Sequence, residues 1–260
     1  MRYFSIMTNP EKPETLLLAE RVRAALAASG METVEELEAG EALIVAGGDG
    51  TILVGARRAL EYRKPVLGIN AGRLGFLAAL EPHELHLLPR LARDDYCLDR
   101  RMLLRASIWQ GERLLRSELC VNDAVIARQD LPRAAEIPVK CGSHMLCYLG
   151  DGVIFSTPTG STAYSLSAGG PVLDPRVEGI VLTPICNHRL FSRAIVCSPE
   201  ERFSVEITQN GLALTCDAEA PVPLYTGQRV TVERGEEMAC FIRLKPDNFL
   251  DVLNGKLVRQ

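Results

Sequence analysis

The sequence predicts two domains: an α/β domain built on a parallel sheet, followed by an all-β, sandwich-like domain. The chain has 260 residues, and a domain usually contains about 100–200. Apolar strands alternate with helices up to about residue 95, which favours a parallel sheet covered by helices. Short β-rich runs separated by turn residues follow. We therefore expect domains at residues 1–95 and 96–240, and a tail at 241–260 whose return to the first domain is left open.

The first domain is predicted from apolar runs of different length and period. Residues 42–46 are continuously apolar, as expected for a strand buried on both faces. The first helical stretch has apolar residues at helical spacing and is ended by Gly30. Residues 82–93 are rich in charge and predict a solvent-facing helix. In chain order, the predicted elements are the strand 2–8, the helix 14–29, the strand 42–46, the helix 52–63, the strand 65–69 and the helix 82–93.

The second domain is predicted from short runs of β-forming residues. Turn residues separate these runs, for example at residues 110–112 and 142–144. Many short strands with regular turns are typical of a β-sandwich. The predicted strands are residues 103–109, 113–126, 137–141, 145–149, 153–156, 179–183, 194–198, 203–208, 212–216, 229–233 and 238–244.

Composition and charge exclude several classes of protein. Lys and Arg number 29 and Asp and Glu number 33, and this net charge of −4 argues against general nucleic-acid binding. No run reaches the roughly 18 apolar residues of a membrane span, and the apolar stretch at residues 1–10 is too short for a signal peptide. We therefore expect a cytoplasmic protein without a membrane partner. The eight cysteines form no CxxC pair, which favours buried thiols over disulfides or a zinc site.

Residues 47–51, with the sequence Gly-Gly-Asp-Gly-Thr, lie where a buried strand ends and a helix begins. Glycines there let backbone N–H groups approach a phosphate, and the helix N-terminus adds positive potential. A carboxylate does not suit a site that only binds phosphate. Asp49 is therefore predicted either to contact magnesium or to act as a base for a hydroxyl that attacks a phosphoryl group. A tight turn with Asp49 as the helix N-cap is the alternative.

Three further polar segments follow predicted strands. Residues 68–77 are rich in glycine and follow the next parallel strand, which places them at the same carboxyl edge of the sheet as Asp49. Residues 151–171 contain seven Ser and Thr hydroxyls, more than helix capping requires, which indicates a polar ligand pocket. Asn122 and Asp123 offer an amide for a purine edge and a carboxylate for ribose hydroxyls, although a solvated turn fits equally well.

The chain lacks the GxxxxGK[ST] and GxGxxG motifs, which excludes P-loop enzymes and the ordinary dinucleotide fingerprint. Taken together, residues 47–51, 68–77, 122–123 and 151–171 resemble the NAD kinase family in their order and spacing. The resemblance implies a Rossmann-like first domain and a β-sandwich second domain. It also implies a reaction in which the 2′-hydroxyl on the adenosine ribose of NAD attacks the γ-phosphoryl group of ATP, giving NADP.

By matching position, the resemblance assigns site residues and partners. Asp49 is implied to be the essential acidic residue near the reacting hydroxyl. The positions implied to bind phosphate or NAD are Gly48, Gly50, Thr51, Phe76, Asn122, Asp123, Asp151, Thr159, Thr162, Ala163, Tyr164 and Ser167. Mg²⁺ or another divalent cation is expected to act together with ATP, without a dedicated set of metal ligands. The donor is left open between ATP, another nucleotide and polyphosphate, and a homodimer or homotetramer is expected to assemble through the second domain.

The sequence departs from the family pattern at a few positions. Asp123 stands where the family usually has Glu, which shortens the presumed substrate contact by one methylene. Asn187, Ala194 and Ala218 stand where Pro, Pro and Gly are usual, and these are changes in turns of the second domain.

The sequence leaves two other functions open. One is a lipid or sugar kinase that shares only residues 47–51 with the family, and the other is a catalytically silent NAD(P)-binding or sensing protein. A lipid or sugar kinase would need an apolar substrate groove, and the hydroxyl-rich segment argues against one. A silent binding protein would have no use for the Asp49 carboxylate in a turn that binds phosphate.

Overall fold

The structure is a computed structural model, and it describes four stretches of the chain: residues 1–72, 75–129, 134–246 and 249–258. The chain divides into two compact units. The first unit contains Met1–Arg100 and Ala239–Gln260, and the second contains Arg101–Met238. The C-terminal residues therefore belong to the first unit. The predicted fold class is confirmed, because the first unit is α/β and the second consists mostly of strands.

Strands make up most of the regular secondary structure. The strands are β1 (Tyr3–Thr8), β2 (Glu32–Val34), β3 (Ala42–Ala46), β4 (Val66–Ile69), β5 (Cys97–Gln110), β6 (Arg113–Cys120), β7 (Asp123–Arg128), β8 (Ala135–Cys141), β9 (His144–Gly150), β10 (Gly152–Ser156), β11 (Ile180–Ile185), β12 (Ile195–Cys197), β13 (Phe203–Glu206), β14 (Leu212–Cys216), β15 (Val222–Leu224) and β16 (Gln228–Arg243). The α-helices are α1 (Pro13–Ala27), α2 (Asp49–Glu61), α3 (Pro89–Ala92), α4 (Tyr164–Ser167) and α5 (Phe249–Leu253). Short 3₁₀ turns occur at Leu85–Leu87 and Gly160–Thr162, and a π-helical segment occurs at Asn254–Val258.

The first unit is built on parallel strand pairs in the order β2-β1-β3-β4-β16. All five residues of β3 are buried, as predicted for this strand. At the carboxyl ends of β3 and β4, Ala46 pairs with Ile69, and the N–H of Gly47 donates to the carbonyl of Ile69 at 2.9 Å. The turns that follow these two strands therefore begin side by side. Buried side chains of this unit's core include Phe4, Leu26, Ile44, Leu67, Leu88, Leu91 and Ile242.

The helix predicted at residues 82–93 is wrong. The segment instead forms the 3₁₀ turn Leu85–Leu87 and the single helical turn α3. Pro89 explains the break, because its ring removes one backbone donor and clashes with the carbonyl four residues earlier. The segment is not solvent-facing either, since Leu88 and Leu91 are fully buried.

Two sheets form the second unit. One has the strand order β12-β11-β10-β7-β14-β15, and its neighbours pair antiparallel. The other contains β9, β8, β13 and β16 in that order, with β5 paired to β16 and to β6. Phe155 from the first sheet and Phe203 from the second lie in one core with ring centroids 5.2 Å apart. The two sheets thus pack face to face, which confirms the predicted sandwich.

Several predicted strand bounds in the second unit were wrong. The run 113–126 is two strands, β6 and β7. The runs 229–233 and 238–244 are joined in the single strand β16. Charged, exposed Glu236 and Glu237 interrupt the apolar pattern of that strand, although a strand with one solvated face tolerates them.

Cysteine burial and membrane character were also predicted from sequence. Cys120 and Cys216 are buried in the core of the second unit, as expected. Cys97 and Cys186 are exposed, so the prediction of buried thiols was wrong for these two. Among the residues that the structure describes, no helix has the length and apolar character that a membrane span requires.

Candidate active site

The turn between β3 and α2 holds Asp49. Gly48 is the N-cap of α2, with an extended backbone, and Asp49 is the first residue of the helix. The alternative in which Asp49 caps the helix is therefore wrong. Its carboxylate instead accepts hydrogen bonds from the backbone N–H groups of Phe76 (2.9 Å to Oδ2) and Leu77 (3.0 Å to Oδ1). The two glycine-rich strand exits thus meet at Asp49.

The glycines around Asp49 serve different purposes. A Cβ on Gly75 would lie 2.2 Å from Asp49 Oδ1, so only glycine lets this loop approach the carboxylate closely. A Cβ on Gly48 or Gly50 would meet nothing within 4 Å. Internal packing therefore does not require glycine at these two positions, and the open space beside them is available to a ligand. Thr51 lies half-buried in the first turn of α2.

Lys256 completes the surroundings of Asp49. Its Nζ lies 3.0 Å from Asp49 Oδ2 and 4.4 Å from the ring centroid of Phe76. The ring of Phe76 also lies 6.1 Å from that of Phe249 in α5. No sequence pattern pointed to Lys256, because it lies 207 residues from Asp49 in a segment without a motif. Residues 73 and 74 of the predicted glycine-rich segment lie outside the described residues.

In the second unit, Asn122 and Asp123 lie at the start of β7. The carboxylate of Asp217 accepts hydrogen bonds from three consecutive backbone N–H groups, those of Val121 (2.7 Å), Asn122 (2.7 Å) and Asp123 (3.1 Å). The N–H of Asp217 donates in return to the Asp123 carbonyl at 3.0 Å. The sequence pattern drew attention only to the neighbouring Ala218 and gave no sign that Asp217 anchors this segment.

The environment of Asp123 differs from that of Asp217. The residue is only 5% exposed. Burial, with the nearby charge of Asp217 as the second cause, raises the pKa of Asp123 to about 7. Within the described residues, no group donates a hydrogen bond to its carboxylate. Asp123 is therefore an acceptor that lacks an internal donor, which is suited to a ligand that brings hydroxyl groups.

The hydroxyl-rich segment begins next to Asn122. The Thr157 N–H donates to the Asn122 carbonyl at 2.8 Å, and a Cβ on Gly160 would lie 2.1 Å from that oxygen. The hydroxyls of Ser156, Thr157 and Ser161 are buried and donate to backbone carbonyls. The buried hydroxyl of Ser165 shares a hydrogen bond with that of Thr183 at 2.8 Å. Four of the seven hydroxyls are thus bonded within the protein, and a ligand pocket at this segment stays a prediction.

The remaining predicted residues lie on or near the same segment. The Thr162 hydroxyl donates to the Thr159 carbonyl at 3.2 Å, and Arg101 reaches the Thr159 hydroxyl at 3.4 Å. Ala163 separates the 3₁₀ turn Gly160–Thr162 from α4. Tyr164 is 46% exposed, and Ser167 is also exposed.

Asp151 joins β9 to β10 and is paired with a residue that the sequence did not single out. The Arg128 Nε donates to Asp151 Oδ1 at 2.7 Å, and the Arg128 N–H donates to the Asp151 carbonyl at 2.9 Å. The pair fixes both the backbone and the side chain of Asp151. About one third of each side chain is exposed, so Asp151 still presents polar atoms to the surface.

The acidic and other metal-ligating side chains do not cluster in the part of the chain that the structure describes. There, no group of three or more His, Cys, Asp or Glu side chains is placed to share a metal ion. The carboxylate of Asp49 is engaged by two N–H groups and one ammonium. Mg²⁺ is usually bound by one or two carboxylates together with substrate phosphates, so the prediction that Asp49 contacts magnesium stays open beside its prediction as a base.

Sequence comparisons give matches in both units. Residues 32–96 match the family model for the ATP-NAD kinase N-terminal domain, and residues 121–244 match that for the ATP-NAD kinase C-terminal domain. The chain is 36% identical over 280 residues to an NAD kinase of Symbiobacterium thermophilum, a match that covers 99% of each protein. It is 39% identical over 222 residues to an NAD kinase of Caldanaerobacter subterraneus subsp. tengcongensis, covering 84% of this chain and 78% of that relative.

Solved structures of two other proteins have a similar fold. An NAD kinase from Archaeoglobus fulgidus, crystallised in complex with ATP, is similar with a TM-score of 0.79 and 25% identity, and both chains are covered completely. Yeast NADH kinase, crystallised with NADH, is similar with a TM-score of 0.89 over all of this chain and 88% of that one. Its identity is 22%, so this second likeness concerns the fold alone.

Proposed function

The chain belongs to the NAD kinase family, and we propose that it transfers the γ-phosphoryl group of ATP to the 2′-hydroxyl on the adenosine ribose of NAD. It is a phosphotransferase with an alcohol group as acceptor. The observation that carries the detailed reaction is the Asp49 carboxylate, held at the phosphate turn by backbone N–H groups from the neighbouring loop.

Asp49 is proposed to act on the attacking hydroxyl. A carboxylate offers about four acceptor positions, two on each oxygen. Oδ2 accepts from Phe76 and Lys256, and Oδ1 accepts from Leu77. One position on Oδ1 is left for the hydroxyl. In the transfer, the 2′-oxygen bonds to the γ-phosphorus, the bond to the β–γ bridging oxygen breaks, ADP leaves, and the hydroxyl proton passes to Asp49 or from it to solvent.

The donor phosphates are proposed to lie at the N-terminus of α2. Gly48, Gly50 and Thr51 present backbone N–H groups there, and the thirteen-residue helix adds positive potential. A divalent cation, Mg²⁺ in the simplest case, would enter bound to the nucleotide substrate and neutralise part of the negative charge of the phosphates. Polyphosphate stays an alternative donor to be tested.

NAD is proposed to contact the second unit through Asn122 and Asp123. The support is chemical: Asp123 is a nearly buried acceptor without a donor among the described residues, and ribose hydroxyls are donors. The other proposed contacts with the substrates are Phe76, Asp151, Thr159, Thr162, Ala163, Tyr164 and Ser167.

The working form is proposed to be a cytoplasmic homodimer or homotetramer that assembles through the second unit. Leu190 and Phe191, in the loop after β11, are exposed apolar neighbours at 107% and 55%. Exposed apolar groups of this kind favour burial against another protein surface.

The proposal is tested by incubating purified protein with NAD, ATP and Mg²⁺ and measuring NADP with an NADP-specific dehydrogenase. Parallel reactions replace ATP with polyphosphate and NAD with NADH. We expect NADP and ADP to form in equal amounts. Binding of NAD without any NADP from either donor would instead identify a silent binding protein.

A further inference from the structure

We infer that Lys256 is a positioning residue for the phosphoryl transfer and that it acts through the carboxylate of Asp49. The inference rests on the proposed function, because it concerns the same carboxylate. It adds a residue that the sequence motifs do not contain and assigns a role to the C-terminal segment.

The contacts of Lys256 restrict where its ammonium lies. Nζ is 3.0 Å from Asp49 Oδ2 and 4.4 Å from the ring centroid of Phe76. The ring of Phe76 is in turn 6.1 Å from that of Phe249 in α5, the helix that directly precedes the π-helical segment carrying Lys256. The ring of Phe76 thus lies near both the ammonium and the helix that precedes Lys256.

This placement determines how the Asp49 carboxylate is rotated. The N–H groups of Phe76 and Leu77 each donate to one oxygen of the carboxylate. These two hydrogen bonds alone would still let the carboxylate tilt about the line that joins its two oxygens. The ammonium of Lys256 binds Oδ2 as a third, charged donor. With Oδ2 engaged twice, Oδ1 is the oxygen left to receive a substrate hydroxyl. Loss of the ammonium would therefore misplace the acceptor atom without removing it.

The ion pair is not required to hold the fold. The side chains of Lys256 and Asp49 are 29% and 30% exposed, and pairs of such exposure contribute little to stability. Removal of the ammonium should therefore leave a folded protein in which the Asp49 carboxylate is misplaced. The effect of Lys256 on catalysis can then be measured without a loss of fold.

The test compares steady-state kinetics of the full-length wild type with Lys256→Met and Lys256→Arg. Errors in the placement of a reacting group cost about 10²-fold in rate, so we expect Lys256→Met to lower kcat by about 10- to 100-fold. The KM values for NAD and ATP and the melting temperature should stay close to those of the wild type. Lys256→Arg, which retains a cation, should recover much of the activity.

Lys245→Met is the matched control. Lys245 also lies near the C-terminus and also pairs with a carboxylate, Glu84 at 2.6 Å, but not with Asp49. We expect its kcat to be unchanged. In addition, free ethylammonium should restore part of the activity of Lys256→Ala, because it supplies an ammonium in place of the missing side chain. If Lys256 only stabilised the fold, ethylammonium would not restore activity.

The outcomes separate this inference from the proposed function. A wild type that forms NADP together with a Lys256→Met variant of unchanged kcat would overturn the inference alone. So would activity lost in step with the melting temperature and not restored by ethylammonium. A wild type that forms no NADP from any donor would overturn the proposed function and the inference together.

Discussion

Asp123 begins β7 and Asp217 follows β14, and the surroundings of these two carboxylates differ. Asp217 accepts three backbone hydrogen bonds. Asp123 accepts none from the described residues and is nearly buried, and these conditions raise its pKa to about 7. At the residue scale, Asp217 therefore holds the backbone at the start of the strand, and Asp123 is the carboxylate that we propose for ligand binding.

The raised pKa of Asp123 predicts that stability depends on pH. The ordinary value is 3.8, so the folded protein holds this proton more tightly than the unfolded chain does. The resulting stabilisation is complete below the ordinary value and is lost as pH rises through about 7. Between about pH 5 and about pH 8, we expect the free energy of unfolding to fall by about 2 kcal/mol more in the wild type than in Asp123→Asn. Urea unfolding at the two pH values measures this difference. An equal change in the free energy of unfolding of the two proteins would contradict it.

Local residue patterns predicted Asp49 but not its partners. Residues 47–51 are consecutive, so one strand-to-helix turn already places a carboxylate beside helix N–H groups. Lys256 and Asp217 reach their partners through long chain separations of 207 and about 95 residues. No periodicity or spacing links such residues, and only the folded backbone brings them together.

At the scale of elements, the turn after β14 is under backbone strain. Asp217 has φ 51° and Ala218 has φ 59°, both in the left-handed region that favours glycine. The resemblance to the family already marked Ala218 as a position where glycine is usual. The hydrogen bonds between the Asp217 carboxylate and the backbone N–H groups of residues 121–123 stabilise this strained conformation of the turn.

Ala218→Gly is therefore expected to stabilise the protein. A residue with a Cβ costs about 1–2 kcal/mol in the left-handed region, and glycine avoids most of that cost. Some of the gain is offset because glycine makes the unfolded chain more flexible, so we expect about 1 kcal/mol in urea unfolding. Ala220→Gly, in the same loop but without a positive φ, is the control and should be neutral or destabilising. A destabilised Ala218→Gly would show that the turn is not strained.

Element prediction succeeded where the pattern was local and failed where a single residue overrode it. The buried strand β3 was predicted with its observed bounds, because its five residues are all apolar and all buried. The helix at 82–93 was wrong, because Pro89 ends it after the 3₁₀ turn. In β16, two exposed glutamates hid the continuity of a sixteen-residue strand that only its sheet neighbours reveal.

At the scale of the whole molecule, the order of α/β and all-β elements was predictable, because their periods differ along the chain. The membership of residues 239–260 in the first unit was not, and the sequence left it open. That membership depends on β16 pairing with β4 through Phe241 and Val66, which is a contact between distant parts of the chain. The same long-range pairing gives the C-terminal segment its access to Asp49.

The proposed assembly is tested by changing the exposed loop of the second unit. A charge at Leu190 or Phe191 should be costly in a buried contact, so Leu190→Asp and Phe191→Asp are expected to lower the mass to about one chain, 28.5 kDa. Size-exclusion chromatography with light scattering measures the mass, and activity is followed over a dilution series. Leu17→Asp changes an exposed leucine in α1 of the first unit, and its mass should equal that of the wild type. A fully active wild type of about 28.5 kDa would contradict the assembly.

The central claim, that Asp49 acts on the attacking hydroxyl, is tested most directly by Asp49→Asn. The substitution keeps the size of the side chain but removes the charge and one acceptor oxygen. We expect turnover of NAD to NADP to fall by about 10²-fold or more, as for other losses of acid–base groups, while the Kd for NAD measured by calorimetry changes little. The melting temperature serves as a check, because the amide nitrogen cannot accept the Phe76 N–H. A folded Asp49→Asn protein with near-normal turnover would contradict the claim.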